Sequence, residues 1–277
     1  MPGNLLKSHD IFRIEPHLLS PTKPPRYLFI GGLHRSGTSL VNRLAIGLPG
    51  AGGITDAPVP ENEGVYLQGA IPHTAQSGRP MHFATNPDEH MTEHHPLNRL
   101  ETKLRLEHDW APWFPPDVCW RVEKSPVNLT RMRLLQQLFP TSQFIVMMRH
   151  PEAVVASTAA WVDAPLTDLH RHWVEAYERV TEDLPHLHAV LVLRYEDVVA
   201  ESDRALRQIA AFLNRPAVVA GEEIVDGNPA YAGTECLKED IAKRVARWGY
   251  ASRLTVQPRP VEVRHPLRAV REAVEAA

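Results

Sequence analysis

Residues 27–39 read YLFIGGLHRSGTS, and this stretch decides the fold. It begins with four apolar residues, as a buried strand does, and continues into a glycine-rich loop. A helical pattern then runs over residues 39–48. Glycine lets the backbone turn its N–H groups toward an anion, and the N-terminus of a helix adds partial positive charge. The sequence therefore predicts an anion-binding loop between a strand and a helix.

The spacing of Gly32 and Gly37 is that of a loop that binds nucleoside triphosphates, but one position differs. Such a loop places a lysine on the β- and γ-phosphates, and that position is Thr38 here. A phosphosulfate end carries less charge than a triphosphate with Mg²⁺, so amides, hydroxyls and Arg35 can hold it. The alternative is a glycine turn that binds no ligand.

Other apolar runs alternate with helical patterns along the chain. Strands are predicted at residues 27–30, 119–122, 144–148 and 189–193. Helices are predicted at residues 39–48, 127–139, 152–161, 166–184 and 203–213. This order predicts an α/β fold with three layers, in which a parallel sheet carries helices on both faces. The ligand site is expected at the carboxyl ends of the strands.

We expect a single domain over residues 1–277. Its segments would be the loop with its helix (27–50), an irregular acceptor or lid insert (55–117), nucleotide-binding βαβ units (118–213) and a C-terminal helical segment (214–277). The insert is rich in Pro, His and Gly, and a long irregular insertion in a compact domain is usually a binding element. From residue 261 onward the pattern is that of an amphipathic helix.

The composition is that of a globular protein without a general polyanionic partner. The chain has 277 residues, of which 43% are hydrophobic and 23% charged, and its formal net charge is -3. Nucleic acid and anionic membranes are therefore not expected as partners. Cys119 and Cys236 are too few for a disulfide framework, and no apolar run is long enough to span a bilayer. Residues 1–10 lack the apolar core of a signal peptide, so a cytoplasmic protein is expected.

Two further strand ends carry a cation before a predicted helix. Lys124 follows the second predicted strand, and Arg149 follows the third. Ser125 is expected to cap the helix that begins at Pro126. A single junction of this kind could be a surface lysine beside a capped helix. Together with Arg35, however, the two cations predict one sheet edge that binds a ligand with more than one anionic group.

With these residues in view, the chain resembles the sulfotransferase superfamily that uses 3′-phosphoadenosine 5′-phosphosulfate (PAPS). The similarity is strongest to its tyrosylprotein- and carbohydrate-type bacterial members, and it covers residues 27–199. It implies a P-loop-like fold, PAPS as donor, 3′,5′-adenosine bisphosphate (PAP) as product and no metal. It also implies a hydroxyl acceptor on a small molecule, a glycan or a peptide.

The resemblance assigns roles to individual residues. The 5′-phosphosulfate loop is implied to consist of Arg35, Ser36, Gly37, Thr38 and Ser39. Arg149 and Ser157 resemble the pair that binds the 3′-phosphate, and Lys124 resembles the lysine that stabilises the leaving phosphate. Tyr195 resembles the tyrosine beside the nucleotide. Residues 226–238 correspond to a loop that closes over the adenosine in related enzymes, but they lack its basic signature and are not assigned.

The acceptor hydroxyl needs a base, and similar enzymes use a Glu or a His beyond the phosphosulfate loop. Glu63 is the first candidate, because its turn-rich segment could fold over the donor. Asp56 is the second, since tyrosylprotein-type enzymes place their acid near this position, and Glu61 is the third. His34 and His73 are further possibilities. Each acid could instead be a solvated loop residue.

Two other functions stay open at this point. A P-loop-type kinase or NTPase would use ATP and Mg²⁺, although the loop lysine and an acidic strand end for the metal are missing. A non-catalytic nucleotide-binding protein would bind without transfer. The acceptor is not identified, but four aromatic residues suggest an apolar or ring-bearing pocket, unless they pack in the core. They are Trp110, Trp113, Phe114 and Trp120.

Overall fold

The computed structural model describes residues 24–73, 80–218 and 224–277. Its strands are β1 (Arg26–Gly32), β2 (Ala51–Gly53), β3 (Trp120–Lys124), β4 (Gln143–Met148), β5 (Val190–Arg194), β6 (Tyr250–Ala251), β7 (Thr255–Val256) and β8 (Glu262–Arg264). Six of them form the central sheet in the order β2-β3-β1-β4-β5-β8. Its pairs are parallel except for β5 with β8, and β6 and β7 form a separate antiparallel ribbon.

Helices cover both faces of this sheet. They are α1 (Thr38–Ile46), α2 (Leu100–Trp110), α3 (Met132–Leu138), α4 (Pro151–Ala159), α5 (Leu166–Asp183), α6 (Tyr195–Ala200), α7 (Ser202–Phe212), α8 (Glu239–Val245) and α9 (Arg268–Ala276). Successive residues of β1 point to opposite faces. Phe29 therefore packs in one apolar cluster with Tyr177 of α5, while Leu28 packs in the other with Val41 of α1. This three-layer arrangement confirms the predicted fold class.

The central strands are apolar along their whole length because both faces are covered. Every residue of β4 is buried, and in β1 only Arg26 is partly exposed. Such continuous apolar runs are typical of parallel strands between two helical layers. This is why β1, β3, β4 and β5 could be recognised in the sequence, with bounds shifted by a few residues.

Three predicted local features were wrong. The helix expected at residues 127–139 is a 3₁₀ segment, Pro126–Thr130, followed by α3. The side chain of Ser125 does not cap it, because its hydroxyl oxygen accepts a hydrogen bond from the amide of Val65 at 3.1 Å and its hydroxyl donates to Glu123 Oε1. The chain after residue 261 begins with strand β8 and becomes helical only at Arg268. The C-terminal segment is therefore not purely helical.

The insert at residues 55–117 is irregular in its described part, as predicted, apart from short 3₁₀ turns and α2. The Gly-rich strand β2 lies just before it and was not predicted. Residues 74–79 of the insert lie outside the described residues. No helix in the described ranges has the length and apolar character that a membrane span requires.

Candidate active site

The glycine-rich loop joins β1 to α1 at the carboxyl edge of the sheet. A Cβ at Gly31 would lie 2.6 Å from the backbone nitrogen of Leu129, and one at Gly32 would lie 2.4 Å from the carbonyl oxygen of Met147. Gly37 has a φ of 97°, in the left-handed region that favours glycine. No side chain in the described ranges caps α1. Its first amides can therefore be satisfied by an anion, as the sequence predicted.

Arg35 and Arg149 meet beside this loop. Arg149 Nη1 donates to the carbonyl oxygen of Arg35 at 3.1 Å, and its guanidinium carbon lies 4.2 Å from the centre of the Tyr195 ring. Arg35 Nε donates to Ser157 Oγ at 2.7 Å. Four residues predicted from separate segments of the sequence therefore form one cluster, which we call the arginine cluster.

Lys124 and Glu63 form a buried ion pair. Lys124 ends β3, and its Nζ lies 3.0 Å from Glu63 Oε1. The two residues are 4% and 7% exposed. Burial raises the pKa of Glu63 to about 7, although the charge of Lys124 acts in the opposite direction. A carboxylate with this pKa can accept a proton near neutral pH, as a general base must.

Glu123 holds the backbone next to Glu63. Its Oε1 accepts hydrogen bonds from the amide of Gly64 at 3.0 Å and from Ser125, while its Oε2 accepts one from Asn128 Nδ2 at 2.5 Å. A Cβ at Gly64 would lie only 2.7 Å from Glu123 Oε1, so this contact requires glycine. Glu123 thereby positions Glu63. A glycine directly after Glu63 is the sequence signal for this close contact, which the sequence analysis did not predict.

A cavity of about 520 Å³ lies between the loop and the insert. This volume is within the range of small-molecule sites. The described residues that line it are His34, Arg35, Gly37, Thr38, Ser39, Pro60, Glu61, Glu63, Tyr66, Pro126, Arg149 and Trp161. Both arginines of the cluster and the carboxylate that pairs with Lys124 therefore border the same space. The three cations predicted at one sheet edge are found on one side of the protein.

The other candidates for the base have different surroundings. Glu61 lines the cavity but is exposed, and its Oε2 accepts a hydrogen bond from Ser39 Oγ at 3.1 Å. Asp56 is exposed and does not line the cavity, so the structure does not bring it to the site. His34 lines the cavity and His73 is buried outside it. Burial lowers the pKa of both histidines to about 4, so both are neutral at pH 7.

Residues 224–231 contribute contacts that the sequence did not predict. The amide of Gly227 donates to the hydroxyl of Tyr195 at 2.8 Å, and Asn228 Oδ1 accepts a hydrogen bond from Arg149 Nε at 2.7 Å. Tyr231 lies 5.4 Å from the guanidinium of Arg149. Hydrogen bonding to Ser157 lowers the pKa of the Tyr231 hydroxyl. Gly227, Asn228 and Tyr231 lie in the unassigned region 226–238, and they contact the arginine cluster with polar rather than basic groups.

The four aromatic residues suggested for an acceptor pocket lie elsewhere. Trp110, Phe114 and Trp120 are buried in the two apolar clusters, and Trp113 packs against one of them. The ring of Trp110, for example, lies 6.1 Å from the core ring of Phe29. Core packing thus explains them. Among the described residues, Tyr66 and Trp161 are the Phe, Tyr or Trp side chains that line the cavity.

Comparisons with known proteins agree with this geometry. A family model described as the sulfotransferase family matches residues 25–218. No curated protein sequence matches the chain. Among solved structures, the sulfotransferase domain of an olefin synthase from Synechococcus PCC 7002 is similar, with a TM-score of 0.51 and 17% identity over 82% of this chain and 94% of that chain.

The sulfotransferase domain from the curacin biosynthetic pathway is also similar, with a TM-score of 0.50 and 16% identity over 82% of this chain and 98% of that chain. At such identities the likeness shows the fold alone. The family model, however, spans well over half of the chain. The chain therefore belongs to the sulfotransferase family and is a sulfotransferase.

Proposed function

We propose that this sulfotransferase takes its sulfuryl group from PAPS, releases PAP and transfers the group to an acceptor hydroxyl. The observation that carries the proposal is the convergence of the arginine cluster and the buried Lys124–Glu63 pair around one cavity. PAPS carries anionic groups at both ends of its ribose. A site that binds it needs cations in two places and a base beside the reacting group.

The arginine cluster supports binding of the 3′-phosphate. Arg149 and Ser157 are the proposed ligands, and Tyr195 supplies a flat ring beside the guanidinium. Tyr231 and Asn228 are additional polar groups within reach of the same cluster. A guanidinium binds phosphate oxygens strongly because its hydrogen bonds are charge-assisted and directional.

The loop supports binding of the 5′-phosphosulfate. Arg35, Gly37, Thr38 and Ser39 all border the cavity, and they offer backbone amides, two hydroxyls and a guanidinium as proposed ligands. Ser36 is buried within the loop and its backbone amide donates to the carbonyl oxygen of Leu33 at 3.1 Å, so its proposed contribution is to hold the shape of the loop. The loop has Thr38 at the position where a triphosphate-binding loop has its lysine, and it offers hydroxyls and Arg35 instead. This arrangement suits the smaller charge of a phosphosulfate.

In the proposed reaction, the acceptor oxygen forms a bond to sulfur while the bond from sulfur to the 5′-phosphate oxygen breaks. Glu63 takes the proton of the acceptor hydroxyl, and the electron pair of the broken bond stays on the leaving phosphate. Lys124 is the proposed stabiliser of this negative charge, a role supported by its ammonium group beside the base, 3.0 Å from Glu63. Atoms and charge balance without a further reactant.

The pH dependence of labelled transfer tests this assignment. Below a pH of about 7 the Glu63 carboxyl keeps its proton and cannot accept another. We therefore expect kcat/KM for transfer from sulfur-labelled PAPS to rise tenfold per pH unit at low pH and to level off above about 7. The measurement covers phenols, sugars and tyrosine peptides as acceptors. A rate that is flat or falls as the pH rises through this range contradicts Glu63 as the base, and absence of label transfer to any hydroxyl contradicts the reaction.

A further inference from the structure

The cavity lining has an aromatic side that the anionic groups of the donor do not account for. His34, Tyr66 and Trp161 border the cavity together with Pro60 and Pro126. The ring of Trp161 meets that of His34 at a centroid distance of 5.7 Å in an edge-to-face arrangement. Rings at this distance attract each other and hold a defined orientation. We call these five residues the ring lining.

Trp161 is a large aromatic residue that the fold leaves 47% exposed. Its neighbour His34 lies 6.2 Å from Phe83, which in turn contacts His172 at 4.9 Å in the core. The indole of Trp161 thus packs on His34, which in turn packs on Phe83. The other part of the indole remains exposed to solvent. Such a supported, half-exposed aromatic surface beside a cavity is suited to stacking on a ligand ring.

Charge separates this side of the cavity from the donor side. Among the described residues that line the cavity, the permanent cations are Arg35 and Arg149, and both belong to the arginine cluster. Glu63 lies beside the ring lining, where its charge acts on Tyr66, while Glu61 accepts a hydrogen bond from Ser39 of the loop. His34 is neutral because burial lowers its pKa to about 4. Beside Tyr66 an anionic acceptor would therefore meet the Glu63 carboxylate, whose neighbouring cation Lys124 is already paired with it, and this disfavours an anion.

From these observations, and resting on the proposed function, we propose that the acceptor is an uncharged, ring-bearing alcohol or phenol. Its ring packs against Trp161 and Tyr66, and its hydroxyl faces Glu63. Burial and the charge of Glu63 raise the pKa of the Tyr66 hydroxyl, so Tyr66 stays neutral beside the base. The site thus offers neutral rings for binding and one carboxylate for proton transfer.

Substitution of Trp161 tests the ring contact. Because Trp161 is half-exposed, Trp161→Ala is expected to fold normally. The KM for 2-naphthol should rise about tenfold, since one stacked ring is lost, while the Kd for PAP stays unchanged. Trp161→Phe keeps a ring and should restore most of the lost affinity. Leu104→Ala is the matched control, because Leu104 is 53% exposed and does not line the cavity.

A panel of acceptors tests the charge argument with the same enzyme. The probes are 2-naphthol, a disaccharide that contains glucuronic acid, and a tyrosine peptide with flanking aspartates. We expect kcat/KM to be at least about tenfold higher for 2-naphthol. Better turnover of either anionic probe, or an unchanged KM in Trp161→Ala, overturns the acceptor proposal but leaves PAPS-dependent transfer standing. Failure to bind PAP overturns the proposed function, and the acceptor proposal with it.

Discussion

Replacing Glu63 with glutamine should lower kcat for sulfuryl transfer by about 10²–10⁴-fold, the usual contribution of a positioned general base. The amide has the size of the carboxylate and its oxygen can still accept a hydrogen bond from Lys124. It cannot take a proton from the acceptor. The Kd for PAP should therefore stay near its wild-type value, which calorimetry can check beside the rate measurement.

Glu61→Gln is the matched control for Glu63→Gln. Glu61 lies two positions away and lines the same cavity, but it is exposed and bonded to Ser39. Its replacement should change kcat by only a few-fold. If Glu63→Gln keeps more than about a tenth of the wild-type kcat, Glu63 is not the general base. Such a decrease would be far smaller than the one expected when a general base is removed.

Replacing Lys124 with methionine should lower kcat by about 10²–10³-fold, the cost of losing one preorganised group at a developing negative charge. Methionine keeps much of the length and apolar character of the lysine stem, which suits a residue that is 4% exposed. The reduced rate is expected because the leaving phosphate loses its nearest proposed cation. Loss of binding to PAP should be smaller, since the arginine cluster remains.

The pH profile of Lys124→Met separates this role from a purely structural one. Lys124 lowers the pKa of Glu63 against the larger effect of burial. Without that charge the pKa of Glu63 rises, so the rising limb of kcat/KM should move to higher pH. A structural defect alone would reduce the amount of active enzyme and leave the limb in place, and that result would contradict the assignment. Lys243→Met is the control, because Lys243 forms an exposed pair with Glu239 at 2.7 Å.

The cations of the site could be predicted because each directly follows a strong local signal. Lys124 and Arg149 come at or just after the end of apolar strands, and Arg35 lies in a glycine-rich loop. In a parallel sheet the carboxyl ends of the strands share one edge, so the local pattern determines which side these residues occupy. Glu63 was harder to distinguish from Asp56, because irregular chain has no periodicity to indicate which side chain turns inward.

Residues 224–231 could not be predicted because distant contacts place them. Asn228 Nδ2 donates to Glu196 at 2.8 Å, across many residues of intervening chain. Buried Glu152 accepts hydrogen bonds from the amides of Leu237, Arg253 and Leu254 and so fixes the following chain. No periodic pattern in the sequence predicts any of these contacts. The three-residue strands β2 and β8 were missed for the same reason, since their partner strands stabilise them.

One edge of the sheet is proposed to bind a nucleotide with separate anions at the 3′ and 5′ positions of its ribose. Calorimetric titration of the protein with PAP, beside a titration with ATP and Mg²⁺, tests it most directly. We predict that PAP binds at least about tenfold more tightly, because the arginine cluster is the proposed site of the 3′-phosphate that ATP lacks. Tighter binding of ATP with Mg²⁺, or no binding of PAP, would contradict the account.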